Sequence, residues 1–86
     1  MTKDIDLTLR RILGDVLGLK PAQVEALNED SGLFGHLPEL DSMAVAGLLT
    51  EIEDRLDIVI EDDEVDGDLL ADYGALLRFV QGKVAA

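Results

Sequence analysis

The apolar residues of this chain fall into three stripes of helical period, and no two of its segments alternate like paired strands. Ile5, Leu9, Ile12, Leu13, Val16 and Leu17 recur at three- and four-residue spacing, which is the spacing of one face of an α-helix. Val45, Leu48, Leu49, Ile52 and Leu56 make a second stripe, and Leu76, Leu77, Val80 and Val84 a third. The one alternating run, Asp57 to Ile60, has no second strand to pair with, and a strand needs neighbours to be stable. It reads instead as a short extended link that inserts Ile58 and Ile60 into the core. Helices are what this pattern can build.

Local signals set the boundaries. Asp4 and Asp6 fall in a first turn, where the helix dipole favours anions; Gly18 suits a helix end, and Pro21 prevents continuation. The first helix is therefore predicted over about residues 4–17. Residues 18–41 form a long connection with Pro21, Gly32, Gly35 and Pro38, of which 21–27 is able to make a single turn. Leu27, Leu33, Phe34, Leu37 and Leu40 are expected to lay this loop over the core, since loops of such length usually pack or carry function. A second helix is predicted over 42–56; Gly47 costs it about 1 kcal/mol of propensity, which the stripe overrides. Residues 62–67 read as one or two helical turns. Asp72 suits the N-cap of a last helix, with Lys83 near its C-terminus. The sum is a single domain over residues 1–86. It is a small all-α bundle of three main helices, with a short additional helix third in order and a long loop after the first.

Charge narrows the function. The chain carries 19 acidic and 7 basic residues, a net charge of −12, so nucleic-acid phosphate and anionic membranes are repelled while basic partners are drawn in. Absence of cysteine excludes disulfides, thiolate metal sites and cysteine nucleophiles. MTKDIDLTLRR lacks the apolar core of a signal peptide, and the longest apolar-or-glycine run, Met43 to Leu49, is too short to span a bilayer. The expectation is a cytoplasmic monomer with no membrane insertion. Its 48% hydrophobic content, arranged periodically, argues against disorder.

Two kinds of site are imitated and then fail on their details. From Asp62, acids fall at positions one, three and five of a calcium loop (Asp62, Glu64, Asp66), with Gly67 at six and Leu69 at eight. Position twelve is Tyr73, where a bidentate Glu should close the shell, so no specific metal site is expected. His36, Asp41 and Ser42 sketch a triad, yet no nucleophile-elbow or oxyanion-hole glycine pattern surrounds the serine. No catalytic residue is assigned.

The segment LPELDSMAV, residues 37–45, supplies two capping residues side by side where one would serve. If Asp41 takes the cap, Ser42 occupies the first helical position with its hydroxyl toward solvent, beside a helix N-terminus suited to a phosphate ester. LDSM, followed by an amphipathic helix that ends in an acidic patch, resembles the phosphopantetheine attachment site of the acyl carrier protein family, and the likeness extends over nearly the whole chain.

The resemblance implies a carrier, not an enzyme. Ser42 would accept 4′-phosphopantetheine from coenzyme A through a separate Mg²⁺-dependent phosphopantetheinyl transferase, with Asp41 helping to engage the metal. The arm's thiol would hold acyl groups as thioesters. Partner ligases, synthases and transferases with basic docking patches would meet Met43, Ala46, Thr50, Glu51, Glu53 and Asp54. The family often has Gly two residues before the Asp; this chain has Glu39 after Pro38, which places that pair at the corner of the turn. Ala44 and Gly47 stand where fatty-acid carriers often show acids, so docking near the arm would rest on shape and apolar contact. Of 11 acids from Glu51 to Asp72, only Arg55 offers an offset. These departures point to a dedicated lipid, polyketide or surface-export pathway rather than housekeeping fatty acid biosynthesis. The LPELDSMAV variant is similar to stand-alone carriers of exosortase-type export clusters. Acyl cargo would shelter between the second helix and a poorly anchored 62–67 turn, with Ala46 and Gly47 leaving room. The alternative readings are an unmodified acidic helical protein-interaction domain and, behind it, a peptidyl or aminoacyl carrier or a calcium-binding module.

Overall fold

The computed structural model describes residues 4–85; Met1, Thr2, Lys3 and Ala86, which the single-domain and leader-peptide readings include, lie outside that range. Its elements are α1 (Ile5–Leu17), α2 (Pro21–Ala26), α3 (Ser42–Leu56), a 3₁₀ turn (Asp62–Glu64) and α4 (Tyr73–Ala85). The bundle is all-α, as the stripes predicted. Asp4 is the N-cap of α1 rather than part of its first turn: its carboxylate accepts the Leu7 N–H at 3.0 Å. Gly18 ends the helix in the left-handed conformation, φ +68°, which glycine adopts without a Cβ penalty.

Helix α1 is the hub, packing against α2, α3 and α4 in turn. Leu9, Ile12 and Leu13 are fully buried from its side, Leu48 and Ile52 from α3, and Leu76 and Val80 from α4. The stripes run true in their middles and fail at an end. Val84 is 37% exposed, because the last turn of α4 reaches past the elements it packs on. Ile58 and Ile60 are half-buried against the core as the extended link required, while Val59 between them points outward.

The connection from residue 18 to 41 departs most from expectation. Its first part is a helix of six residues, not one turn, begun by Pro21 at N1, where the missing N–H costs nothing. Leu27, Leu33 and Leu40 are buried and Leu37 half-buried, but Phe34 remains 48% exposed. The reason is local. Gly32 bridges Asp72 at the entry to α4, and Leu33 N–H and Phe34 N–H donate to the Ala71 and Leu70 carbonyls. Leu33 is buried, and its carbonyl accepts the His36 and Leu37 N–H groups, so Phe34 falls in the turn that follows and stays exposed. The seam continues into α4, where Tyr73 N–H donates to Ser31 O at 2.8 Å and Gly74 N–H to Glu29 O at 3.1 Å. A Cβ on Gly74 would stand 2.8 Å from that Glu29 oxygen, so only glycine allows the two chains this close. Asp72 caps α4 as predicted, accepting the Ala75 N–H at 2.8 Å.

A polar clasp holds the same end of the bundle. Arg10 donates to the carbonyls of Val24 and Leu27, both at 2.7 Å, and to the Asp6 carboxylate at 3.0 Å. Its guanidinium lies 4.9 Å from the centre of the Tyr73 ring. The Tyr73 hydroxyl in turn donates to the Asp6 carboxylate at 2.5 Å. Burial, then the neighbouring Asp6, pushes the Tyr73 hydroxyl well above its ordinary pKa. That donated hydrogen bond is the main reason the Asp6 carboxyl sits below its ordinary 3.8, with Arg10 reinforcing it against partial burial.

A carboxyl whose native pKa is lowered adds stability that is complete above the unfolded value and disappears as pH falls through the native one. Asp6 is 46% exposed, so screening holds the gain near 1 kcal/mol, a few degrees of melting temperature. Tyr73→Phe should therefore melt a few degrees below the parent at neutral pH. The gap should narrow as pH falls below the ordinary 3.8, which thermal unfolding across an acid series would show.

Candidate functional site

The site is made by how the loop delivers the chain to α3. Leu40 N–H donates to Leu37 O at 3.0 Å, closing a turn with Pro38 and Glu39 at its corner, as the replacement of the family's usual glycine required. Leu40, 3% exposed, anchors the turn in the core. The backbone then rises to the surface through Asp41, which is extended (φ −101°, ψ −175°). Asp41 Oδ1 accepts the Ala44 N–H at 2.8 Å, so Asp41 is the cap. Ser42 follows as the first helical residue, exposed, and outside the capping interaction. Losing the cap should cost about 1 kcal/mol, and chemical denaturation of Asp41→Ala checks it.

Ser42 stands where three clefts meet. One runs to Phe34, Val65, Gly67 and Leu70; a second follows the loop past His36, Pro38 and Asp41. The third follows α3 past Ala46, Leu49, Thr50 and Glu53, with Ile60 and Val65 forming its opposite wall. Val45 and Val65 border both the first cleft and the third. Around the serine the surface is apolar: Met43 is 85% exposed, with Phe34 nearby across the first cleft. The role of Phe34 and Val65 as neighbours of Ser42 escaped the sequence reading. The available signal was Val65, a lone apolar residue inside an acidic run.

His36, Asp41 and Ser42 do share a cleft. Asp41 is committed to Ala44, however, and the His36 ring lies against Gly32, where a Cβ would overlap it. In the calcium-like stretch, Asp66 Oδ1 is occupied by the N–H groups of Asp68 and Leu69, at 3.0 and 2.9 Å. Its carboxylate closes a turn, and Tyr73 belongs to the clasp.

Of the six expected docking residues, Met43, Ala46, Thr50 and Glu53 follow one another at three- and four-residue spacing along α3. Met43 points to solvent, and Asp54 is exposed. Ala46, Thr50 and Glu53 line the third cleft, and Glu51 is paired with Arg55 at 2.7 Å, which also reaches Asp15 of α1 at 2.9 Å. Both carboxylates raise the Arg55 pKa. The expectation of a loosely held 62–67 turn needs correction. Glu53 Oε2 accepts the Ile60 N–H at 2.7 Å just before it, and Lys83 at the end of α4 pairs with Glu64 at 2.6 Å within it. That pairing with Lys83 holds the Glu64 pKa below its ordinary value. The room beside α3 comes from Ala46. A Cβ on Gly47 would meet nothing within 4 Å, and Gly47 does not border the groove.

An exposed hydroxyl at the first position of a long helix, with the unsatisfied amides of the first turn beside it, suits a phosphodiester. The solution NMR structure of a holo acyl carrier protein from Nitrosomonas europaea is similar over 99% of this chain and 100% of that one, with a TM-score of 0.85 and 36% sequence identity. A family model described as a phosphopantetheine attachment site matches residues 8–78. The chain belongs to the acyl carrier protein family. No curated protein sequence gives a significant match. As an acyl carrier protein the chain is a carrier rather than an enzyme, and the family's cofactor is 4′-phosphopantetheine, covalently held. No described helix is long and apolar enough to cross a membrane.

Proposed function

We propose that Ser42 is the residue that carries 4′-phosphopantetheine, and that the protein presents acyl thioesters to partner enzymes in a dedicated lipid, polyketide or surface-export pathway. The observation that carries this reading is the division of labour at the head of α3: Asp41 caps the helix, and Ser42 keeps an exposed hydroxyl. The helix N-terminus offsets phosphodiester charge, and the exposed flanks of Met43 and Phe34 give partners apolar surface to grip. When bound, the arm supplies the thiol that this cysteine-free chain lacks. Asp41 uses one carboxylate oxygen for the cap, and its other oxygen is the group we assign to metal engagement during loading by a phosphopantetheinyl transferase.

Partner ligases, synthases and transferases are met with basic patches, because net charge −12 steers them. The dedicated pathway is supported by the apolar Met43–Ala44 head of α3, where charge-reading partners find no carboxylate. Mass spectrometry after incubation with coenzyme A, Mg²⁺ and a broad-specificity transferase tests the carrier reading; a chain that gains no arm would return it to an acidic interaction domain. Competition against housekeeping fatty-acid synthases tests the pathway, and turnover equal to a fatty-acid carrier's would remove that part.

A further inference from the structure

The groove along α3 changes character from one end to the other. Ser42 stands at its head; Val45, Ala46, Leu49, Ile60 and Val65 make an apolar middle; Thr50 and Glu53 bring polar groups to its far end. The Asp62 carboxylate lies on the same wall as the 3₁₀ turn. At the rise of an α-helix, Thr50 and Glu53 lie about 12 and 16 Å along the axis from Ser42. Glu53 is half-buried, and only its Oε2 is engaged, by the Ile60 N–H at 2.7 Å. Among the described residues no second hydrogen bond reaches that carboxylate. Its Oε1 and the Thr50 hydroxyl are thus acceptors at the end of an apolar channel.

We infer that this groove selects acyl cargo whose distal end carries a hydrogen-bond donor, a hydroxyl or an ammonium. The inference rests on the carrier reading and adds the class of cargo to it. An arm rooted at Ser42 is longer than the run from Ser42 to Glu53, so it doubles back over the mouth of the groove, where Val45, Leu49, Ile60 and Val65 offer the surface for the methylenes that enter. A plain alkyl end seated there would strip water from the Glu53 carboxylate and return nothing, and an ionised group buried without a partner is costly. A donor end replaces the lost water. The charge of the chain acts in the same direction, because it favours an ammonium and tolerates a hydroxyl. The Phe34–Leu70 cleft also begins at Ser42, but Thr50 and Glu53 do not line it, and its one carboxylate, Asp66, already accepts the Asp68 and Leu69 N–H groups through Oδ1.

The test loads the full chain from octanoyl-, ω-hydroxyoctanoyl- and ω-aminooctanoyl-coenzyme A, confirms one arm per chain by mass, and compares each form with the holo protein. Both donor-ended cargoes should raise the melting midpoint by about 4 °C or more, as expected when a covalently held ligand shelters only in the folded state, and should shift the Ile60 amide resonance. Octanoyl should do neither. Thr50→Val should remove the gain from the hydroxy form, and Glu53→Gln, which keeps an acceptor for Ile60, should remove most of the gain from the amino form. Octanoyl stabilising as much as its ω-substituted relatives, or none of the three moving the midpoint, overturns the inference while leaving the carrier reading standing. Failure of all three to load overturns the carrier reading itself.

Discussion

Ser42→Ala should accept no arm under conditions where the parent chain is fully converted, while melting within a few degrees of it. The two halves of this result come from different physics. Loading needs an oxygen nucleophile at one exposed position, and alanine has none, so the loss is complete rather than graded. Stability barely changes because the cap belongs to Asp41, the Ser42 side chain is exposed, and alanine is a strong helix former at the first turn. The chain has one other serine, Ser31, whose hydroxyl accepts the Asn28 N–H at 2.9 Å within the loop. Ser31→Ala is therefore the matched control and should load normally. Intact mass of the three proteins after a common incubation decides the matter. An arm on Ser42→Ala would move the attachment site elsewhere, and an unloaded Ser31→Ala would show that loop order matters more than the hydroxyl.

Arg10→Met should be the most damaging single change outside the apolar core. The substitution keeps an unbranched stem and deletes three hydrogen bonds, two of them to main-chain carbonyls at 2.7 Å; Val24 O keeps only the longer bond from Leu27 N–H at 3.2 Å. Hydrogen bonds to a charged group contribute about 1.5–3 kcal/mol net. For a domain of this size that is a fall of roughly 10–20 °C in melting temperature. The loss should appear first around α2, whose last turn Arg10 ties to α1, and amide exchange in residues 21–27 would locate it. A midpoint within about 2 °C of the parent would mean that the clasp closes after the fold is already secure.

The contrast between these two residues says what was legible in the sequence. The place of Ser42 at the head of α3 was readable because it is local: an Asp before it, a stripe after it and a helix start between them require only neighbours along the chain. The three stripes were readable for the same reason, since period survives without knowledge of what packs on it. Arg10 lies off its stripe and reads as a solvated cation. Its role is created by carbonyls 14 and 17 residues away and by Tyr73, which sits 63 residues further along. Phe34 was misplaced for a related reason, because the Gly32–Asp72 bridge beside its turn joins segments far apart in the chain. Two of the docking residues have partners that the sequence reading did not name: Glu51 pairs with Arg55, and Glu53 accepts the Ile60 N–H. Whatever depended on a distant partner was invisible, and whatever depended on spacing was not.

The hub arrangement of α1 has a mechanical outcome for α3. Since the larger helix contacts all involve α1, the serine-bearing rod is fastened to its neighbouring helices mainly along one edge, like a shutter on its frame. Its groove side faces Ile60, Asp62 and Val65, and near Ser42 also Phe34 and Leu70. Widening that side disturbs a few valine and isoleucine side chains and one carboxylate latch, while the sealed seam with α1 stays shut. If cargo shelters in that groove as proposed, taking it in or handing it over would move those side chains and leave the packing of α3 on α1 in place.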